Sequence, residues 1–167
     1  KLRWLHGFLS DMKCNLPKEK MDGYISVGKI CKEQLDLQLI NQESELIYNE
    51  VNSNIIKLAG VSKPNKKLIL VTVSRISREK GFERMLKISE QLKGIDYVWN
   101  IVGEGYDKKY QESIKKKAPK EWIFHGKKEN PFPYIKNADF LLQLSDYEAY
   151  GFVLLEALIL GTTVITT

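Results

Sequence analysis

Three groups of residues have types and spacing that could do chemistry. The first is a pair of carboxylates, Glu148 and Glu156, with seven residues between them in the run S-D-Y-E-A-Y-G-F-V-L-L-E-A-L-I-L-G at 145–161. Two such acids can serve as general acid and base, or can accept hydrogen bonds from the hydroxyl groups of a sugar or ribose. Gly151 between them lets a backbone approach a ligand closely, and a helix that starts there offers unpaired N–H groups to an anion. The second group is Arg75 and Lys80 in S-R-I-S-R-E-K-G at 74–81. A guanidinium and an ammonium straddling one turn form a clamp suited to a diphosphate. Cations sit badly at the positive end of a helix dipole, so a bound anion accounts for them better than bare surface charge does. The third, Gly103-Glu104-Gly105, is weaker. Lys108 stands where a dinucleotide fingerprint has its last glycine, and both a tight turn and a ligand-approach loop remain open.

Other chemistries find little support. No His or Asp stands at ligand spacing beside the two glutamates, so a metal site is not expected. No Ser-His-Asp or Cys-His constellation is visible. His6 and His125 each follow a short apolar run, where a histidine is more often structural than catalytic.

The elements that must position these groups follow from periodicity. From residue 67 onward the chain alternates strand and helix. Strands are expected over 68–74, 97–102, 122–124, 138–144 and 163–166, and helices over 81–92, from 106 to about 117, near 134–137, and after Gly151. Residues 68–74 are almost continuously apolar, as a parallel strand buried on both faces requires. This alternation predicts an α/β fold, a Rossmann-like parallel sheet with helices on both faces. Ligands of such sheets bind beyond the carboxyl ends of the strands, where Arg75, Gly103 and Glu148 all fall. Before residue 67 the pattern is looser, with short strands at 2–6, 24–27 and 45–48, a loop with a helical turn at 11–22, helices at 29–39 and 54–59, and a polar linker at 62–67.

Composition narrows the class. Hydrophobic content is 43% and charged content 28% in 167 residues, which fits a globular protein and not a disordered one. Cys14 and Cys31 make neither a metal pattern nor a disulfide framework, which points to a reducing compartment. The longest apolar run, 151–160, is too short for a membrane span and contains Glu156. The net charge of +5 is uneven: residues 115–128 carry six lysines against Glu121. A solvated helix end explains that stretch, and a contact with anionic lipid is the sharper alternative. Aromatic and basic residues are not interleaved, so nucleic acid is not an expected partner.

Four segments, in order, carry a resemblance: V-S-R-I-S-R-E-K-G-F, I-V-G-E-G, H-G-K-K-E-N-P-F-P-Y-I-K-N-A-D-F and E-A-Y-G-F-V-L-L-E-A-L-I-L-G-T-T-V-I-T-T. Together they resemble the C-terminal half of retaining GT-B glycosyltransferases of group 1, with Glu148 and Glu156 meeting the E-x7-E pattern. W-L-H-G, Y-I-S-V and L-I-Y-N-E-V-N resemble, more loosely, pieces of that family's N-terminal domain. The resemblance implies two parts: residues 1–65, the tail of an acceptor domain and its linker, and residues 66–167, a nucleotide-sugar-binding domain truncated at its C-terminus. The sequence begins at Lys1, which agrees with a fragment.

The resemblance also implies roles. Arg75 and Lys80 would hold the donor diphosphate and stabilise the leaving phosphate in place of a metal. Glu148 would touch donor-sugar hydroxyls, and Glu156 the ribose hydroxyls. Ala149, Tyr150, Gly151 and Phe152 would offer backbone groups to sugar and phosphates. Gly103, Glu104 and Gly105 would line the nucleotide site, and His6 would sit by the reacting sugar. Two departures stand out: Ala149 replaces a glycine common in the family, and Gly28 a serine. The implied reaction is transfer of a hexosyl unit from a UDP- or GDP-sugar to a saccharide or lipid-linked acceptor, with retention and without a cofactor or metal. It would serve cell-surface polysaccharide or glycolipid synthesis in the cytoplasm, at the inner face of the membrane if peripheral membrane contact is made. The isolated fragment is expected to bind donor weakly and to catalyse little. Two rival readings are a non-catalytic GT-B homologue that recognises acceptor or stabilises a partner, and a nucleotide-sugar epimerase or nicotinamide enzyme on a similar sheet. The intact set of Arg75, Lys80 and both glutamates speaks against the first. The incomplete glycine pattern speaks against a nicotinamide enzyme.

Overall fold

The computed structural model describes residues 2–5, 21–39, 44–52, 54–60, 67–148 and 150–167. The chain divides into two units, Lys1–Glu50 with Glu148–Gly151, and Val51–Tyr147 with Phe152–Thr167.

In the first unit, strands β1 (Leu2–Leu5), β2 (Gly23–Ser26) and β3 (Glu45–Leu46) form a parallel sheet in that order. Helix α1 (Lys29–Asp36) buries Cys31 and Leu35, and Leu35 packs on Tyr24 with Met21 and Leu39 around it. Asp36 closes the helix by accepting the Ser44 amide and hydroxyl, both at 2.7 Å, while Lys32 pairs with its other oxygen. Strand β3 is shorter than its apolar pattern predicts, because Ile47 and Tyr48 face solvent. Of the expected loop at 11–22, residues 11–20 lie outside the described residues.

The second unit is the predicted α/β fold. Strands β4 (Leu68–Val73), β5 (Tyr97–Val102), β6 (Trp122–Gly126), β7 (Phe140–Gln143) and β8 (Thr163–Thr166) form one parallel sheet in the order β6-β5-β4-β7-β8. Its helices are α2 (Ile55–Ala59), α3 (Phe82–Gln91), α4 (Lys108–Lys117), α5 (Phe132–Lys136) and α6 (Phe152–Leu160). Strand residues alternate between two cores, as the two-residue side-chain period demands. Leu70, Trp99, Ile101 and Leu142 meet Phe82 and Met85 of α3 and Tyr110 and Ile114 of α4. Val71, Val102 and Leu141 meet Ile55, Ile135, Ala157 and Leu160 on the other face.

Several polar side chains of this sheet are paired, which limits the penalty of burying them. The Trp99 indole donates to the Thr72 hydroxyl at 3.1 Å, and that hydroxyl reaches the Leu142 carbonyl at 2.9 Å. Trp122 donates to Ser89 at 2.8 Å. Asp139 accepts the Ile69 amide at 2.7 Å and returns its own amide to the Ile69 carbonyl at 2.8 Å, fixing the start of β7 on β4.

One boundary differs in an instructive way. Helix α3 starts at Phe82, after a 3-10 turn over Arg78–Lys80, because Gly81 has φ +74° and cannot continue a right-handed helix. Strand order runs outward from β4 to β6 on one side and through β7 to β8 on the other. The carboxyl ends of β4 and β7 therefore form the point at which the sheet reverses. Among the described residues, no helix is long and apolar enough to cross a membrane.

Candidate functional site

The loops after β4 and β5 lie directly on one another. The Ser74 amide donates to the Val102 carbonyl at 3.0 Å, and the Ile76 amide to the Glu104 carbonyl at 3.3 Å. A Cβ on Gly103 would stand 1.9 Å from the Ser74 carbonyl oxygen, and one on Gly105 would stand 2.3 Å from that of Ile76. Both glycines are thus required by the close approach of two backbones, and Gly103 also has φ +137°. The Gly105 amide is held by the Gln111 side chain at 2.7 Å, and Asp107 caps α4 by accepting the Tyr110 amide at 3.0 Å.

Beside this double loop is a cleft of about 400 Å³ lined by Ser74, Arg75, Gly103, Glu104, Tyr106, Lys108, Lys127 and Lys128 among others. Four cations and one carboxylate in so small a volume make a site for an anion. The carboxylate is already engaged, loosely, by Lys108 at 3.9 Å. The Arg75 guanidinium lies 3.5 Å from Glu79 and 5.8 Å from the centre of the Tyr106 ring, and its side chain remains 56% exposed. An exposed pair of that length is worth little, so Arg75 can turn to a ligand at small cost. Arg78 is committed elsewhere. It lies 4.7 Å from the centre of the Tyr110 ring, whose hydroxyl donates to Glu83 at 2.6 Å. Burial, then that hydrogen bond, pushes the Tyr110 phenol far above its ordinary range. His125 is structural: Nε2 is 2.8 Å from Asn100 Oδ1, and its ring packs on Tyr134 at 4.5 Å. Burial, with Lys128 nearby, lowers its pKa and keeps the ring neutral.

The sequence reading missed Arg84. Its Nε donates to the Leu144 carbonyl at 3.1 Å, Nη2 contacts the same oxygen, and Nη1 pairs with Asp146 at 2.6 Å. A Cβ on Gly81 would stand 1.9 Å from that Leu144 oxygen, and the Asp146 amide donates to the Glu79 carbonyl at 2.8 Å. The turns after β4 and β7 are therefore one bonded assembly at the sheet's reversal point. Helical spacing of Arg84 from Gly81 was visible in the sequence; its partner 60 residues away was not.

Residues 56–167 match the family described as glycosyl transferases group 1. The chain belongs to that family. A protein of Klebsiella pneumoniae, described as an uncharacterized 41.2 kDa protein in the cps region, is 27% identical over 95% of this chain and 49% of that protein. Among solved structures, Anabaena Alr3699/HepE in complex with UDP and glucose is 17% identical with a TM-score of 0.79, covering 99% of this chain and 52% of that one. The same protein has also been solved in complex with UDP-glucose. A glycosyltransferase from Rickettsia africae ESF-5 is 17% identical with a TM-score of 0.73, covering 86% of this chain and 44% of that one. The chain spans about half the length of these relatives. The group 1 membership and the Rossmann-like α/β sheet both agree with the reading of the motifs as the C-terminal domain of a GT-B glycosyltransferase.

Within this group 1 chain, the structure gathers Arg75, Gly103, Glu104 and Gly105 at one cleft. Lys80 and Glu156 do not line it. Glu156 is on α6, half-buried, and burial raises its carboxyl pKa. Glu148, Tyr150 and Gly151 belong to the first unit, where the Tyr150 hydroxyl donates to the Asn49 carbonyl at 2.6 Å and its ring is 6.0 Å from that of Tyr48. Gly151 has φ +73° just ahead of α6, and Phe152 opens that helix. His6 and Ala149 lie outside the described residues. Among the described residues, no three His, Cys, Asp or Glu side chains are grouped to hold a metal ion.

Proposed function

We propose that this group 1 domain binds the donor of a retaining hexosyltransferase, a UDP- or GDP-sugar, and that the acceptor is a saccharide or a lipid-linked saccharide. The observation that carries the reading is the cation-rich cleft at the carboxyl ends of β4 and β5, with Arg75 beside Gly103 and Gly105. The complexes of the Anabaena relative with UDP and with UDP-glucose support a uridine donor. The cps-region relative supports a role in surface polysaccharide synthesis.

In this reading the bond between the anomeric carbon and the phosphate oxygen breaks with its electron pair leaving on the diphosphate, the acceptor hydroxyl oxygen bonds to that carbon on the same face, and the hydroxyl proton passes to the departing phosphate oxygen. Negative charge grows on the departing diphosphate. Arg75 at the cleft, with Lys80 assigned to the same role by the family resemblance, stabilises it without a metal, which lowers the barrier more than equal binding of the ground state would. Glu156 accepts hydrogen bonds from the ribose hydroxyls and Glu148 from the donor sugar. The family resemblance assigns Gly103–Gly105 to the nucleotide, the backbone of Ala149, Tyr150, Gly151 and Phe152 to the sugar and phosphates, and His6 to the reacting sugar.

A thermal-shift titration with UDP, GDP, ADP and NAD tests this. A ligand of the folded state stabilises it in proportion to the logarithm of its concentration over its dissociation constant, about 2.7 kcal/mol at a hundredfold excess. Stabilisation by UDP or GDP that disappears in Glu156→Ala is the expected result. A response to NAD alone would overturn the reading.

A further inference from the structure

We infer that Tyr106 is the residue that holds the nucleobase of the donor: its ring is the platform on which the flat base stacks while the cations around it take the diphosphate. The inference rests on the donor-site reading above and names a contact within that site. Among the described residues that line the cleft, Tyr106 is the one aromatic. Around it stand four cations, Arg75, Lys108, Lys127 and Lys128, and the Glu104 carboxylate. A nucleoside diphosphate has two unlike ends, and the cations answer only one of them. Stacking on an aromatic ring answers the other, because every base has a π-face that a ring can meet without matching hydrogen bonds.

A lone exposed tyrosine is ordinary, but this one is held in an unusual way. Four residues further on, Tyr110 is 5% exposed, belongs to the core shared with α3 and donates to Glu83. Tyr106 is 87% exposed and stands outside that core. Its backbone is nevertheless fixed from both sides. A Cβ on the preceding Gly105 would stand 2.3 Å from the Ile76 carbonyl oxygen, and the Gly105 amide is held by Gln111 at 2.7 Å. The following Asp107 caps α4 through the Tyr110 amide at 3.0 Å. The ring is therefore carried at a set position and open to solvent, so stacking a base on it orders little that was free. The Arg75 guanidinium carbon lies 5.8 Å from the ring centre, near the outer limit of a cation–π contact. A phosphate held by Arg75 is then a ribose's length from the ring, the separation that a nucleoside diphosphate has between its base and its phosphates.

The test is competition calorimetry on the protein and its Tyr106→Ala, Tyr106→Leu and Tyr106→Phe variants, with melting curves for each. The ligands are UDP, GDP and ribose 5-diphosphate, which keeps the sugar and both phosphates and lacks the base. Wild type should bind its preferred nucleotide about tenfold more tightly than ribose 5-diphosphate. Tyr106→Ala should weaken the nucleotide about tenfold and leave ribose 5-diphosphate within about twofold, so that the preference for a base disappears. Tyr106→Phe should bind both as wild type does, since the face stacks and the hydroxyl does not. Tyr106→Leu, with bulk but no flat face, should lose most of the preference. A ring that only shields Arg75 or braces the loop predicts equal losses for the nucleotide and for ribose 5-diphosphate, and that result overturns the inference. So does Tyr106→Ala binding the nucleotide as wild type does, or a wild type with no preference for a base. If Tyr106→Ala fails to fold, Tyr106→Leu decides on the same criteria. Wild type that binds neither UDP nor GDP overturns the donor-site reading, and this inference with it.

Discussion

The two ends of the five-stranded parallel sheet differ in a way that cavity size alone would misjudge. At the amino end, a cavity of about 610 Å³ lies among Leu86, Leu92, Ile95, Tyr97 and Pro119, where the strands begin. At the carboxyl end, the cleft beside Arg75 is smaller, about 400 Å³. Yet the smaller one holds what a polar anionic ligand needs: converging cations, and glycines whose missing side chains let two loops interlock. The amino-end cavity takes its shape from the ends of α3 and α4, and its two cations, Lys93 and Lys117, are matched by two carboxylates, Glu90 and Glu121. What distinguishes a site from a gap is the chemistry of its lining and the constraint on its backbone.

Paired glycine substitutions give the largest contrast. Gly103→Ala drives a Cβ to within 1.9 Å of a backbone oxygen at φ +137°, and should cost at least about 2 kcal/mol and abolish the nucleotide response. Gly94, which lines the amino-end cavity, also has positive φ, at +89°, but nothing lies within 4 Å of an added Cβ. Gly94→Ala should cost only about 1 kcal/mol, by chemical denaturation, and leave binding intact. Equal costs would show that the double loop yields more easily than its geometry implies.

Arg75→Met should raise the dissociation constant for UDP or GDP about ten- to a hundredfold, the loss of one charge-assisted contact. Its stability should stay within about 0.5 kcal/mol of wild type, because the Glu79 pair it loses is long and exposed. Leu86→Ala at the amino end should do the reverse, lowering stability without moving the dissociation constant.

Glu156→Gln should have the smallest effect on stability and a sign that depends on pH. Burial raises the folded-state pKa of Glu156 above its unfolded value. Its contribution is therefore fully present below the unfolded pKa and is lost as pH rises through the folded pKa. Relative to wild type, the glutamine variant should gain stability over that window and hold the gain at neutral pH, while its nucleotide response falls. Denaturant midpoints measured from pH 4 to pH 8 check the sign.

These contrasts also mark what was legible in the sequence. The sheet was readable because parallel strands buried on two faces, such as Leu68–Val73, show as apolar runs between amphipathic helices. Arg75 and the Gly103–Gly105 loop were readable because they stand at strand ends, where this architecture puts its ligands. The reason for the glycines was not: it lies in the Ser74 and Ile76 carbonyls of another loop. Arg84 was hidden in the same way, since its meaning comes from Leu144 and Asp146 across the sheet's reversal point. Local spacing reveals elements and candidate residues, but contacts between distant loops emerge only when the fold brings them together.

The most direct measurement is an amide NMR footprint of UDP on the isotopically labelled protein. The expected result is shifts at Ser74, Arg75, Gly103, Gly105 and Lys127, with Leu86, Ile95 and Tyr97 unmoved. Shifts gathered at the amino-end cavity, with the Arg75 cleft silent, would contradict the assignment of the donor site.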